Sequence, residues 1–200
     1  MHIYINLLLI NGYSTMNVYD FDGTIYDGDS TFDFYRFCLK RHPSIMVCLP
    51  KQIGSALLYK TKIINKLQFK QCFFCFLKKL TDVNQEVFYF WNLNEKKIKT
   101  WYRNQKSYDD VIVSASPDFL LEEICKRINI RHLVATKIDR KTGKFISKNC
   151  FGEEKVNRLR VYMPNIKIQC FYSDSYSDFP LAQISDKAFL VKGEQIIYWL

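Results

Sequence analysis

Residues 17–29, NVYDFDGTIYDGD, decide the fold. A short apolar run ends abruptly at Asp20, and Gly23 follows three residues later, which predicts a buried strand and then a turn. Side chains two residues apart on a strand point to the same side, so Asp20 and Asp22 form a carboxylate pair at the C-terminal end of the strand. Two carboxylates about 4 Å apart repel by roughly 4 kcal/mol at an effective dielectric near 20. A cation, a lysine or a shared proton must therefore lie beside them.

The composition is that of a folded chain. Of the 200 residues, 48% are hydrophobic, enough for a substantial core and against a disordered protein. The length suits one domain, or a core domain with a smaller one inserted into it. No run of about 20 apolar residues is present, so we do not expect a membrane-spanning helix.

The net charge of +9 is unevenly distributed. Residues 33–107 contain 15 Lys and Arg but only 4 Asp and Glu, a balance of +11, whereas the rest of the chain has a balance of −2. This segment therefore indicates an anionic partner, which could be a phosphate ester, an acidic membrane surface or nucleic acid. Lysines that only solvate exposed helix faces would give the same balance, so both interpretations stay open.

The seven cysteines are odd in number and scattered among apolar residues, which favours reduced, buried thiols and a cytoplasmic protein. Cys72 and Cys75 have a CxxC spacing but no second pair, so we expect them to pack in the core rather than bind zinc. At the N-terminus, we expect residues 1–15 to be an extension preceding a natural start at Met16. The alternative is that Ile3–Ile10 forms an extra edge strand.

The order of predicted elements indicates an α/β fold with an insertion. From Ser30 to about Lys106 the pattern is helical, with Ser30 as the cap of the first helix. Strands and helices then alternate, which favours a parallel sheet. Asp20 and Ser114 are 94 residues apart, whereas a strand–helix–strand crossover takes about 30. We therefore predict an α/β core over residues 16–32 and 107–200, with residues 33–106 as a small helical cap.

Polar residues end three of the predicted strands: Asp20, Ser114 and Asp174. Ligands bind beyond the carboxyl ends of strands in open parallel sheets, so these residues should converge on one crevice, with Asp178 and Lys155 nearby. Carboxylate oxygens with few other ligands suit Mg²⁺. Taken singly, each of these residues could equally be a helix cap, a turn former or a surface lysine.

Four ordered motifs make this sequence resemble the haloacid dehalogenase-like (HAD) superfamily of phosphohydrolases. They are DFDGT at 20–24, VIVSAS at 111–116, the lysine of GEEKVNRL at 152–159 and the acidic pair of SDSYSD at 173–178. The helical insert after the first motif resembles the phosphoserine phosphatase-like branch, subfamily IB. SASPDFLL and NCFGEEK resemble that branch's broad hydrolases, which include phosphatidylglycerophosphatase-type enzymes. The resemblance implies a Rossmann-like parallel sheet core.

The resemblance also implies roles. Asp20 would attack phosphorus and form an aspartyl-phosphate, and Asp22 would act first as acid and then as base. Mg²⁺ would be held by Asp20, the backbone carbonyl of Asp22, and Asp174. The substrate phosphate would be bound by Gly23, Ser114, Ala115 and Ser116. Lys155 would offset the negative charge of Asp20 and the phosphate, and Asp178 would lie beside Asp174 in the outer shell of the metal.

The substrate is less well defined. Phosphoserine phosphatases carry a Glu nine residues after the nucleophile, where this chain has Asp29, and Gly-Gly where it has Ala115 and Ser116. We expect Asp29 to contact the leaving group. The leading hypothesis is a Mg²⁺-dependent phosphatase of a small-molecule phosphate ester. The alternatives are a lipid phosphatase with peripheral membrane contact, a phosphoserine phosphatase, and a non-catalytic basic binding module. We do not expect nucleic acid as the partner.

Overall fold

The computed structural model describes residues 14–200. The predicted N-terminal extension and the alternative edge strand over Ile3–Ile10 thus lie almost wholly outside the described residues. The first strand begins at Ser14, and Ser14 and Thr15 are in register with Ile166 and Lys167 of a neighbouring strand. Among residues 14–200, no helix is both long enough and apolar enough to cross a bilayer.

A six-stranded sheet forms the core. The strands are β1 (Ser14–Tyr19), β2 (Val111–Pro117), β3 (His132–Thr136), β4 (Ile166–Ser173), β5 (Ser185–Lys192) and β6 (Gln195–Tyr198), in the spatial order β3-β2-β1-β4-β5-β6. The first five are parallel, and β6 is antiparallel to β5. The predicted α/β fold with a parallel, Rossmann-like sheet is confirmed. β6 was not predicted, because its four exposed residues carry no burial pattern.

Of the eight α-helices in residues 14–200, five lie between β1 and β2. They are α1 (Ser30–Arg41), α2 (Leu49–Lys60), α3 (Lys66–Phe73), α4 (Val83–Asn94) and α5 (Thr100–Gln105). The other three, which follow β2, β3 and β4, are α6 (Asp118–Arg127), α7 (Glu153–Tyr162) and α8 (Phe179–Gln183). Short 3₁₀ segments cover Pro43–Cys48, Phe74–Lys79, Glu95–Lys97 and Tyr176–Asp178. We refer to residues 33–106 as the helical insert.

One helix start differs from the prediction. Ser30 is the first residue of α1, and the cap is Asp29, whose Oδ1 accepts a hydrogen bond from Phe32 N at 2.8 Å. Both residue types cap helices well, so the sequence could not decide between two adjacent candidates.

The helical insert leaves and rejoins the core at the same place. Close to its end, Lys97 O accepts from Asp27 N at 2.9 Å, and Lys99 N donates to Ile25 O at 2.8 Å. Trp91 of α4 is fully buried and donates through its indole N–H to Leu120 O on α6 at 2.7 Å. These contacts pack the insert against the C-terminal end of β1, where the acidic motif lies.

Candidate active site

Asp20 follows β1 directly and pairs with a buried lysine. Its backbone N–H donates to Tyr172 O on β4 at 2.9 Å, which continues the sheet one residue past the strand. Lys155, near the start of α7, donates to Asp20 Oδ1 and to Asp178 Oδ2, both at 2.7 Å. Burial raises the pKa of Asp20, and the charge of Lys155 opposes that rise. Burial by itself lowers the pKa of Lys155, but the two carboxylates hold it above its ordinary value. Lys155 is thus a charged partner for the acidic pair.

Asp22 has a different environment, made of neutral donors. Its Oδ1 accepts from Ser30 N at 2.7 Å, and its Oδ2 accepts from the Ser116 hydroxyl. Burial raises the pKa of Asp22 to about 6, with a further contribution from the charge of Asp29, while the bonds from Ser116 and Ser30 oppose the rise. The pKa values of the two carboxylates therefore depend on different partners: a lysine for Asp20, and hydroxyl and amide donors for Asp22.

The C-terminal half of β2 supplies Ser114, Ala115 and Ser116, so the strand continues past the residue at which the sequence predicted its end. Ser114 is buried, and its Oγ accepts from Ser116 N at 3.1 Å. The Ser116 hydroxyl lies 2.9 Å from that of Thr31 on α1. Neither serine caps α6, which follows Pro117 without a side-chain cap. The Ser116 hydroxyl instead donates to Asp22 of the first motif, and Ser114 lines the cavity described below.

Asp174 lies beside Gly23. Its backbone N–H donates to Thr24 Oγ1 at 2.8 Å, which ties the end of β4 to the first motif. Gly23 has a φ of +73°, and a Cβ there would overlap the Asp174 carboxylate. Glycine is therefore required both by the left-handed backbone and by this close approach. Burial raises the pKa of Asp174, although the residue as a whole is exposed.

A cavity of about 480 Å³ brings most of the predicted residues together. We call the part of the cavity lining that the core forms the floor. It contains Asp20, Asp22, Ser114, Ala115, Ser116, Lys155 and Asp178. Its roof, formed by the helical insert, contains Lys66, Phe69, Lys70, Phe73 and Phe74. Asp29 and Thr31 lie at the junction of the two. Gly23 and Asp174 are not among the lining residues. A second cavity, about 710 Å³, lies along β3 and is lined by none of the predicted site residues.

The residues at this site fit a hard divalent cation. Asp178 Oδ1 is buried and has no hydrogen-bond partner among residues 14–200. Asp20, Asp22, Asp174 and Asp178 bring four carboxylates to the region, whereas Lys155 ion-pairs with two of them. In the described part of the chain, no three His, Cys, Asp or Glu side chains form a ready-made metal cage. Mg²⁺ commonly takes one or two carboxylates and completes its shell with water and substrate phosphate, so the donors present suffice.

Two lysines of the insert were missed by sequence reasoning. Lys70 reaches from the roof to the floor, where its Nζ donates to Asn149 Oδ1 at 2.9 Å and approaches Ala115 O at 3.4 Å. Burial lowers the pKa of Lys70 to about 8. Lys99 is buried and donates to Gly23 O. Lys70 follows Phe69 in a largely apolar stretch, but nine other Lys and Arg lie between residues 34 and 81, so the sequence could not single it out.

The sequence is similar to a known protein family and to a curated protein. The family model described as haloacid dehalogenase-like hydrolase matches residues 18–183. Protein CicA of Caulobacter vibrioides is 31% identical over 83 residues, a match that covers 38% of this chain and 37% of CicA. The chain thus spans little more than a third of that relative.

Two solved structures have a similar fold. A protein of unknown function from Bordetella pertussis Tohama I has a TM-score of 0.71 at 17% identity, over 88% of this chain and 89% of that one. A phosphoserine phosphohydrolase-like protein from Francisella tularensis subsp. tularensis has a TM-score of 0.55 at 15% identity, over 88% and 86% of the two chains. At these identities the likeness concerns the fold. The family model, which spans most of the chain and all four motifs, identifies the protein as a member of the haloacid dehalogenase-like hydrolase family.

Proposed function

We propose that this hydrolase is a phosphatase that cleaves a phosphate monoester through an aspartyl-phosphate on Asp20. The observation that carries the proposal is the pairing of Asp20 with Lys155 at the cavity floor, beside Asp22. Burial raises the pKa of both carboxyls, so the pKa values by themselves do not divide their roles. Their partners do: the charge of Lys155 favours the ionised, nucleophilic form of Asp20, whereas Asp22 is held by neutral donors and can carry a proton. The site therefore holds a nucleophile and an acid side by side.

In the first step an oxygen of Asp20 attacks phosphorus, and the bond from phosphorus to the leaving oxygen breaks. Asp22 gives its proton to that oxygen, so the alcohol departs neutral. In the second step Asp22, now ionised, takes a proton from water as the water attacks phosphorus. Inorganic phosphate leaves and the Asp20 carboxylate is restored.

The rest of the floor binds the phosphoryl group. Ser114 Oγ accepts from Ser116 N, which leaves its own proton to donate to a phosphoryl oxygen. The backbone N–H of Ala115 and the charge of Lys155 add to that stabilisation. Asp20, the carbonyl of Asp22, and Asp174 would hold Mg²⁺, with Asp178 orienting the site. When bound, the ion neutralises charge on the nucleophile and the phosphate.

We further propose that residues 33–106 act as a cap that selects the leaving group. The cap supplies Lys66 and Lys70 and three Phe rings to the roof, a combination that suits a small-molecule ester with an anionic or apolar leaving group. The same lining supports a lipid phosphate as a second candidate. Phosphoserine is less well supported, because Asp29 Oδ1 is already bonded to Phe32 N as a helix cap. Seven free thiols support a cytoplasmic location.

The test is hydrolysis of an aryl phosphate by the purified protein with Mg²⁺, alongside the Asp20→Asn variant. Release of phosphate by the wild type and not by the variant would support the proposal. Equal turnover by both proteins would exclude Asp20 as nucleophile. Salt-sensitive binding of a polyanion without any turnover would favour a non-catalytic basic module.

A further inference from the structure

Helix α2 buries polar side chains and exposes apolar ones, the reverse of an ordinary amphipathic surface helix. Its buried side is polar: Gln52 accepts from the Tyr35 hydroxyl at 2.7 Å and donates to Phe73 O at 2.8 Å, and Ser55 is buried next to it. Its outward side is apolar, since Ile53 and Leu57, four residues apart, are 57% and 61% exposed. The polar positions of α2 are thus satisfied by the protein, and the apolar ones are not.

The exposed apolar side chains continue on both sides of α2. We define the α2 face as the six residues Met46, Val47, Ile53, Leu57, Leu58 and Ile63, all of which are exposed. Single exposed apolar residues are ordinary on protein surfaces. Here six exposed apolar residues occur within 18 consecutive residues, on α2 and its two flanks, and such a concentration marks a site of interaction with another apolar surface.

The charge around the α2 face has one sign. Residues 34–81 contain ten Lys and Arg and not one Asp or Glu. Lys51 and Lys60 lie on α2 itself, and Lys62 lies two residues after its end. Apolar side chains bordered by lysines are typical of helices that lie in the interface of an anionic bilayer, with the apolar side among the acyl chains and the ammonium groups at the headgroups.

We propose that the α2 face docks onto membranes of acidic lipid by inserting its apolar side chains. A second copy of this chain fits less well. A two-fold interface brings the same patch of both copies together, so the lysines that border one α2 face would meet those of the other with no carboxylate of residues 34–81 to pair with them. An acidic bilayer offers both the apolar phase and the negative charge.

The docking surface adjoins the roof of the cavity. The Tyr59 ring of α2 stacks on the Phe69 ring of α3, with centroids 5.3 Å apart, and Phe69 lines the cavity together with Lys66 and Lys70. Docking by α2 therefore brings the cavity roof to the level of the lipid headgroups. Membrane binding itself does not depend on the proposed phosphatase activity; only the further consequence, that headgroup phosphates become accessible to the site, rests on it.

The experiment is co-sedimentation of the full chain with vesicles of phosphatidylcholine and phosphatidylserine, compared with vesicles of phosphatidylcholine alone. The informative variants are Ile53→Ser/Leu57→Ser for insertion and Lys51→Gln/Lys60→Gln for charge. The matched controls are Ile146→Ser/Val161→Ser, which remove similarly exposed apolar residues of the core, and Lys126→Gln/Lys144→Gln. Circular dichroism and turnover of a soluble aryl phosphate report whether each variant is folded.

The wild type and both controls should bind the acidic vesicles and leave the neutral ones in solution. The Ile53/Leu57 variant should lose at least tenfold in partitioning at any salt concentration, whereas the Lys51/Lys60 variant should lose most at low salt. Absence of binding to acidic vesicles would overturn the proposal. So would unchanged binding by the Ile53/Leu57 variant, or a wild-type dimer in sedimentation velocity that this variant converts to a monomer. Vesicle binding without phosphatase activity would uphold the docking surface and refute the proposed function.

Discussion

The floor and the roof of the cavity differ in the elements that form them and in the side chains they contain. The floor comes from strand ends of the core and consists of carboxylates, hydroxyls and one lysine, nearly all held by hydrogen bonds shorter than 3.2 Å. The roof comes from the helical insert and consists of Phe rings and lysines. Under the proposed function, the chemistry, which requires fixed geometry, belongs to the floor, and selection of a leaving group, which requires shape and charge, belongs to the roof.

Under the proposed function, this difference would let one fold keep a reaction and change its substrate. The floor uses main-chain positions at the ends of β1, β2 and β4, whose register is set by the sheet. The roof uses side chains on short helices that contact the floor through few bonds, such as that of Lys70 to Asn149. Changes to the floor should therefore lower turnover with every substrate, and changes to the roof should act on some substrates only.

The largest effect should come from Asp20→Asn. The amide is a poor nucleophile, and turnover should fall by roughly 10⁴-fold or more for every phosphate ester. Steady-state hydrolysis of an aryl phosphate measures it. Asp27→Asn, an exposed change in the same loop, is the matched control and should keep normal turnover. A residual rate in Asp20→Asn close to that of the control would remove the distinction between floor and roof.

Removal of divalent cations should abolish turnover, and added Mg²⁺ should restore it. Three carboxylates beside one ion-paired lysine, with Asp174 nearby, leave a surplus of negative charge at the floor, which repels a phosphate dianion unless a cation is bound. Phosphate release before and after dialysis against a chelator measures the effect. Full activity in the chelated protein would show that Lys155 alone balances this charge.

Asp22→Asn should lower turnover by about 10²–10⁴-fold, because proton transfer to the leaving oxygen is lost. The loss should be larger for an alkyl phosphate, whose alkoxide leaves poorly, than for a nitrophenyl phosphate, whose phenolate needs less help. The ratio of the two losses is the measurement. An equal loss for both esters would assign Asp22 to binding rather than to acid catalysis.

Lys70→Met should raise KM about tenfold for substrates whose leaving group is anionic and change little for neutral ones, as expected for one lost charge-assisted hydrogen bond. Methionine keeps the length and apolar contacts of the lysine stem. Kinetics with a matched pair of esters, one carrying a carboxylate on the leaving group, would detect it. A uniform fall in kcat for both esters would place Lys70 with the floor.

The smallest effects concern stability, at one glycine of each region. Gly23→Ala should destabilise the fold by about 1–3 kcal/mol, since its φ is positive and a Cβ overlaps Asp174. Gly54→Ala in α2 has nothing within 4 Å of the added Cβ, and should stabilise the helix by about 0.5–1 kcal/mol. Urea unfolding of both variants measures the contrast. If Gly23→Ala stabilised the protein, the positive φ and the close approach of Asp174 would not constrain the turn after β1.

The order of elements and the floor of the site were predictable because they depend on local patterns. The apolar runs of β1, β2 and β4 stop at Asp20, Ser114 and Asp174, and the carboxyl ends of parallel strands meet at one edge, although β2 itself continues to Pro117. The N-cap of α1 was not predictable, since neighbouring Asp29 and Ser30 cap equally well. The existence of β6 was not predictable either, since an exposed four-residue strand has no burial pattern.

The sequence by itself determined the fold class, the family and the residues of the floor, because each lies in a motif whose spacing is fixed by the backbone. Only the tertiary structure decided which partner each carboxylate receives, so that Lys155 pairs with Asp20 while Ser30 and Ser116 hold Asp22. It alone also placed Lys70 over the cavity and turned the apolar side of α2 outward. The physical reason is that pairing, burial and helix rotation depend on contacts between segments far apart in the chain, which periodicity within one segment does not encode.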